Sequence, residues 1–277
     1  MLIPEQVDQY TREGYTLAPS LLDAAEVAGL VAELEGICAG NTLADHSEKL
    51  EMEPSQPLDG TAVRRVYEPC SFYPVFEKLS ESAQLLDCVE GLVGPDILRH
   101  YSKINMKPAE IGSVVEWHQD MSYYPLTNGD SVAVLIYFDD TTIENGCLQV
   151  IPGCHEQPLM DHGADGFFQG KITERVDESR AVALEGEAGS VIFMHGMTPH
   201  ASITNTSKKA RRTLIISYRA SDAYPLFCGA DTAVNVQYEK LVRGVRRQVA
   251  RITYSQFPIP KQRRTTASLY ELQEQSR

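Results

Sequence analysis

The sequence lacks the features that would place it in a membrane, in a disulfide scaffold or on nucleic acid. No apolar run approaches the roughly 20 residues that a membrane helix needs. The start, Met1 to Gln6, has neither the basic residues nor the apolar stretch of a signal peptide, so a cytoplasmic protein is expected. Six cysteines lie far apart with no CxxC pair, which argues against a disulfide framework or a Cys-based zinc finger. Positive charge is also short: 25 Lys+Arg face 38 Asp+Glu, a formal net charge of -13. A general nucleic-acid binder needs a basic surface to neutralise phosphates, so no nucleic-acid partner is expected. What is present is ordinary for a globular protein: 277 residues, 43% hydrophobic and 23% charged, enough for one large domain.

The pattern changes along the chain. Val27, Leu30, Val31, Leu34, Ile37 and Cys38 recur at helical spacing. Asp23 followed by Glu26 has the spacing of a capping box, and Gly40 suits the residue just past the end. Residues 41–62, with Pro54, Pro57 and Gly60, read as a long loop of the kind used for lids and binding loops. Helical segments are predicted again around 75–93, ending near Gly94-Pro95. Beyond them come short segments rich in Val, Ile, Tyr and Phe, at 97–106, 113–118, 131–138, 147–151, 180–184, 190–195 and 212–219. Their length and spacing argue for an all-β sandwich or barrel rather than alternating βαβ units. The expected fold is mainly β with flanking helices (α+β), a double-sheet jelly roll. As one domain, 1–277, it divides into a mostly helical part (1–95), a jelly-roll core (96–220) and a C-terminal extension (221–277). Residues 239–264 reverse the overall charge, with eight Lys/Arg against Glu239 alone. They read as a solvated helix face and tail, with a docking site for an acidic substrate or partner as the alternative.

Of seven histidines, His118 stands out, in Glu116-Trp-His-Gln-Asp120. In a strand, residues i and i+2 share a face, so His118 and Asp120 converge on one point. A second histidine from a later strand completes a 2-His-1-carboxylate face with open positions, the pattern of non-haem Fe(II) oxygenases. Residues 189–200 offer His195 and His200. Arg211 and Arg212 open the strand after them, and arginine supplies a planar two-pronged donor for a carboxylate.

These features resemble the phytanoyl-CoA dioxygenase family of Fe(II)/2-oxoglutarate oxygenases. The resemblance runs in order over residues 10–220: Tyr10 to Gly14 before a helix, Lys107-Pro108, Trp117 to Asp120, Glu144 to Leu148, Ile151 to His155, and the segment from His200 to Arg212. It implies a cupin-like double-stranded β-helix, with His118, Asp120 and His200 as iron ligands and 2-oxoglutarate and O2 as co-substrates. In the family the arginine that binds 2-oxoglutarate follows the distal histidine by eleven or twelve residues. That selects His200 over His195 and leaves Arg211 and Arg212 nearly tied. Arg212 is preferred by counting back from Tyr218, and the two side chains should point to opposite faces. Ser202 matches a position that hydrogen-bonds the same carboxylate, and Lys103 and Leu135 match positions lining the co-substrate.

By the same resemblance, His155 shapes the site edge without binding metal; His195 reads as a satisfied histidine just before the loop. Trp117 is expected beside the metal, and Tyr123 and Tyr124 either line the substrate pocket or pack. Arg64, Arg65 and Tyr67 lie within reach of a substrate. Asn205-Thr-Ser207 is a glycosylation sequon that a chain without a signal peptide leaves unused. The retained Asp120 favours hydroxylation of an aliphatic C–H of a small molecule, with desaturation or ring closure as alternatives, over halogenation. Secondary metabolism is a plausible setting. A jelly roll that binds metal without turnover and a zinc hydrolase are the competing readings, and neither needs the downstream arginine.

Overall fold

A computed structural model of the chain describes residues 1–226 and 238–258. In chain order, helix α1 (Pro4–Glu13) leads to strand β1 (Tyr15–Ala18), and α2 (Ala24–Cys38) to β2 (Leu50–Met52) and β3 (Val63–Tyr67). Three helices follow: α3 (Pro69–Phe72), α4 (Pro74–Ser80) and α5 (Ala83–Val93). Then come β4 (Ile97–Lys107), β5 (Val115–His118), β6 (Ser131–Tyr137) and β7 (Leu148–Val150), with a hairpin of β8 (Gly163–Ala164) and β9 (Phe167–Phe168). The rest is β10 (Val182–Leu184), β11 (Val191–His195), β12 (His200–Ser202), β13 (Arg211–Ala220) and β14 (Lys240–Arg243). Two antiparallel sheets face each other, as in a jelly roll. The larger runs β1-β11-β6-β13-β4-β3-β2, with β14 also on β4; the smaller runs β10-β7-β12-β5.

The period of two along each strand separates two apolar layers. Val134, Ile136, Leu214, Ile216 and Tyr218 point outward and pack under the helices, against Leu30, Leu34, Leu85 and Val89. Ala133, Leu135, Ile192 and Met194 point inward and meet Leu148, Val150 and Leu184 of the smaller sheet. Helix α2 starts where the sequence places it: the Asp23 carboxylate accepts from the backbone N–H of Ala25 and Glu26, and the Glu26 carboxylate accepts from that of Asp23, all at 2.8 Å. Strand β4 carries one extra residue, His100, between the partners of Ser217 and Tyr218. Such a bulge resets which side chains face inward. Beyond it Lys103, Asn105 and Lys107 line the interior, while Ile104 and Met106 pack under the helices.

Three expectations change. The N-terminal part is not only helical: β1 pairs with β11, and β2 and β3 extend the large sheet beyond β4. These strands are three to five residues long, too short for their periodicity to show. The loop 41–62 contains β2 and is therefore partly fixed as a sheet edge. The basic segment is a strand and strap, not a helix face: β14 pairs with the start of β4. Lys261, Arg263 and Arg264 lie outside the described residues. No helix among the described residues is long and apolar enough to cross a membrane.

Candidate metal centre and co-substrate cavity

His118 ends β5 and His200 opens β12, and the two are direct partners across the antiparallel pair. Their rings lie 4.0 Å apart, centre to centre. Asp120 begins the turn after β5, with Oδ1 4.0 Å from His118 Nε2 and 3.8 Å from His200 Nε2. All three side chains are buried, and their ligand atoms lie within 4.8 Å of one another. Each imidazole is oriented from behind: His118 Nδ1 lies 2.8 Å from the Glu116 carbonyl and His200 Nδ1 3.0 Å from the Thr198 carbonyl. A carbonyl only accepts, so Nδ1 carries the proton and Nε2 presents its lone pair to the common point. Burial lowers both histidine pKa values, reinforced at His118 by His200 and opposed at His200 by the Asp120 charge. Two neutral imidazoles and one carboxylate are the donor set a divalent first-row metal requires.

Gln119, between two of these residues, is fully buried and points the other way. Its side chain donates to the Met197 carbonyl at 2.6 Å and accepts from the Met160 N–H at 2.9 Å, while its own N–H donates to His162 Nε2 at 3.1 Å. Gln119 thus ties the turn before His200 and the segment at 160 to the backbone between His118 and Asp120. Tyr123 packs edge-on against His118 at 5.8 Å and Phe168 at 4.9 Å, and its hydroxyl donates to the Gly170 carbonyl at 2.5 Å.

A cavity of about 40 Å3 runs inward between the sheets from His118, Asp120 and His200. Lys103, Leu135, Ser202 and Arg211 line it, as do Asn105 and Lys107. Arg211 and Arg212 separate as strand alternation demands, but not in the order expected. Arg212 shares its face with Leu214, Ile216 and Tyr218, whose hydroxyl donates to the Ser80 carbonyl in the helical layer. Counting back from Tyr218 in steps of two therefore lands on the helix-facing side. The Arg212 guanidinium grips Asp139 through Nε (2.9 Å) and Nη2 (2.7 Å) and reaches Glu35 of α2 at 3.2 Å. It fastens helix to sheet, and Arg211 faces the cavity.

Two residues expected at the substrate, Trp117 and Arg65, do not line this cavity. Trp117 alternates with His118, is half-buried and does not line the cavity; its carbonyl accepts from the Ile172 N–H at 2.7 Å. Arg65, on β3, is buried and is the cross-strand partner of Asn105, to whose Oδ1 it donates through Nε at 3.0 Å, so it stands beside a cavity-lining side chain without lining the cavity itself. Arg64 meets Glu51 at 2.6 Å.

Comparison with known proteins agrees with this geometry. Residues 10–213 match the family described as phytanoyl-CoA dioxygenase. The chain belongs to the phytanoyl-CoA dioxygenase family. Among curated members it is 34% identical to a probable alpha-ketoglutarate-dependent hypophosphite dioxygenase of Stutzerimonas stutzeri, over 82% of each chain. It is 28% identical to an L-proline trans-4-hydroxylase of Streptomyces griseoviridis, over 76% of this chain and 84% of that one. The fold matches the crystal structure of EctD from S. alaskensis with 2-oxoglutarate and 5-hydroxyectoine: TM-score 0.65, 24% identity, 79% of this chain and 77% of that one. It also matches the carbocyclase SnoK from nogalamycin biosynthesis: TM-score 0.66, 22% identity, 85% and 90% covered. The protein is thus an iron- and 2-oxoglutarate-dependent dioxygenase of the phytanoyl-CoA dioxygenase family.

Family motifs that had no role in the sequence acquire one here. Lys107, of the Lys-Pro pair, is 1% exposed, and its ammonium donates to the carbonyls of Ser113 and Ile203, the latter at 2.8 Å. Gly146, of Glu144-Asn-Gly, has φ +79°, and a Cβ there would lie 2.5 Å from the Ile203 carbonyl oxygen and 3.0 Å from Lys107 Cδ. Asn205 of the sequon is fully buried, donating to the carbonyls of Lys107, Pro108 and Lys209 at 2.8–3.2 Å. Its amide holds the fold together and faces no solvent. Alternation along β4 was the available signal for Asn105 and Lys107, once the bulge at His100 is counted.

Proposed function

We propose that His118, Asp120 and His200 hold the iron of this dioxygenase, and that 2-oxoglutarate lies in the cavity with its distal carboxylate on Arg211. The supporting observation is the run of one enclosed space from three converging ligand atoms to a buried arginine. Iron with 2-oxoglutarate supplies oxygen activation, with succinate and CO2 as by-products. The protein's part is placement. The Glu116 and Thr198 carbonyls keep the imidazole lone pairs aimed at one point, and Gln119 fixes the spacing of His118 and Asp120. Ser202, buried beside Arg211 on the cavity wall, donates to the distal carboxylate, and Leu135 forms the apolar wall along the chain of the acid. Lys103 also faces the space; burial lowers its pKa to about 8, opposed by the Asp120 charge.

The reaction is hydroxylation of an aliphatic C–H of a small-molecule substrate. The curated relatives include enzymes whose names specify hypophosphite, ectoine, L-proline and methylphosphonate, all compact polar molecules. We infer a small polar substrate, a cytoplasmic setting and one catalytic unit over the three parts of the chain. The test is succinate release from 2-oxoglutarate with Fe(II) across such a panel, beside His118→Ala and Asp120→Ala. Each variant should lose iron affinity and turnover by more than about 100-fold. Wild-type turnover that needs neither Fe(II) nor these side chains would refute the assignment. Mass analysis of the product separates hydroxylation from desaturation and ring closure.

A further inference from the structure

The inner end of the cavity holds an arrangement that a single carboxylate-binding arginine does not require. Lys107 on β4 and Arg211 on β13 are direct cross-strand partners. Both line the cavity, and they are 1% and 6% exposed. Like charges directly opposite each other on a sheet repel, and burying an ammonium is costly. The fold nevertheless makes room for this lysine. A Cβ on Gly112 would come within 2.6 Å of Lys107 Cβ, and one on Gly146 within 3.0 Å of its Cδ. An ammonium has three N–H donors. Two of them serve the Ser113 and Ile203 carbonyls, which leaves one for the space shared with Arg211. Burial and the Arg211 charge push the Lys107 pKa well down, with Glu53 opposing, so an anion beside it would strengthen its hold on the proton.

We propose that Lys107 is a specificity residue for the co-substrate: with Arg211 it selects 2-oxo acids that end in a second carboxylate. This rests on the co-substrate reading of the cavity given above. Two cationic donors opposite each other can each take one oxygen of a terminal carboxylate, whereas an uncharged chain end would leave both facing it without a partner. The same ammonium, through Ser113 and Ile203, ties the segments that precede β5 and follow β12, the strands bearing His118 and His200. A role limited to that tie is the rival explanation, and it predicts a different result.

The test compares 2-oxoglutarate with 2-oxopentanoate, which keeps the five-carbon chain and replaces the distal carboxylate by a methyl group. Both are titrated without oxygen into the Fe(II)-loaded full chain, following the charge-transfer absorption of the chelate and the fluorescence of Trp117. Lys107→Met removes the charge; Lys107→Gln keeps one hydrogen bond to a carbonyl should the first variant fail to fold. Melting temperature and iron content are measured beside each. The proposal expects 2-oxoglutarate to bind at least about 10-fold more weakly in the variants, with 2-oxopentanoate changed less than about 2-fold. Equal weakening of both acids would overturn it in favour of the structural tie, and unchanged binding of 2-oxoglutarate would also overturn it. If the wild type binds neither acid, the cavity reading itself fails and the proposal with it.

Discussion

Two groups of basic side chains in this protein obey opposite rules. Along the strap at 240–251 each cation meets a carboxylate: Arg246 takes Glu239 near it in the chain, and the other four take acids of the body. Lys240 reaches Glu77 and Glu81, Arg243 reaches Asp87 and Glu90, Arg247 reaches Asp96, and Arg251 reaches Asp130 and Asp222. In the cavity, Lys103 and Lys107 are surrounded by protein, yet neither forms an ion pair among the described residues. The strap's charge is complemented by its own chain, and it runs over the helices and the start of β4. The cavity's charge is aligned with a space. A net charge of -13 hid both facts, because a sum does not say which cations have partners. Among the described residues, the acids of the body that the strap meets come from α4, α5 and the turns at Asp96, Asp130 and Asp222.

The sharpest way to break this comparison is at the adjacent arginines. Arg211→Gln should raise KM for 2-oxoglutarate about 100-fold by removing a two-pronged charged contact. Arg212→Gln should leave KM unchanged and lower the melting temperature instead. The reverse pattern in steady-state succinate assays would exchange their roles. Next in size is a buried pair at the start of the strap. Arg219 and Glu239 form a pair with side chains 3% and 4% exposed. Glu239→Gln should cost about 2 kcal/mol in urea unfolding, because it strands a buried guanidinium. A loss no larger than that of an exposed pair would mean that the strap is uniform.

A third effect depends on pH. Burial lowers the pKa of His100 and His195 from 6.5 to about 3 in the folded chain. The unfolded chain therefore takes up protons first, and stability present above pH 6.5 is lost as pH falls towards 3. Glu68 has the opposite sign: burial raises its pKa to about 7, so it costs stability as pH rises from 4.5 towards 7. Replacing His195 by Gln should flatten the acid limb of a stability profile, and an unchanged limb would remove this histidine from the account. The smallest effect is expected at the exposed strap pairs. Arg243→Ala should cost under about 1 kcal/mol and its effect should shrink in high salt, whereas affinity for 2-oxoglutarate should respond less to salt.

The long strands and the capped helix were legible because each carries several periods of its pattern. The metal face was legible because a two-residue spacing on a strand already fixes a shared direction. The Arg211 choice was not. Strand parity separates two neighbours but does not say which side is the interior, and Tyr218, taken as the reference, faces the helices. Trp117 follows the same parity: next to His118 in the strand, it does not line the cavity. Lys107 and Gln119 stayed silent because their roles depend on carbonyls and amides brought from distant segments, which no local pattern records.

One contact ties the reactive end of the molecule to its beginning. The Gly14 carbonyl accepts from the His195 N–H at 2.8 Å and from the Thr198 hydroxyl at 2.8 Å, across 184 residues of sequence. Thr198 in turn orients His200. The carbonyl that closes α1 is therefore made early in synthesis, and the turn it braces, which leads to His200, is made 184 residues later. Loosening the end of α1 is therefore expected to loosen one side of the His118, Asp120 and His200 cluster, although α1 contributes no side chain to it.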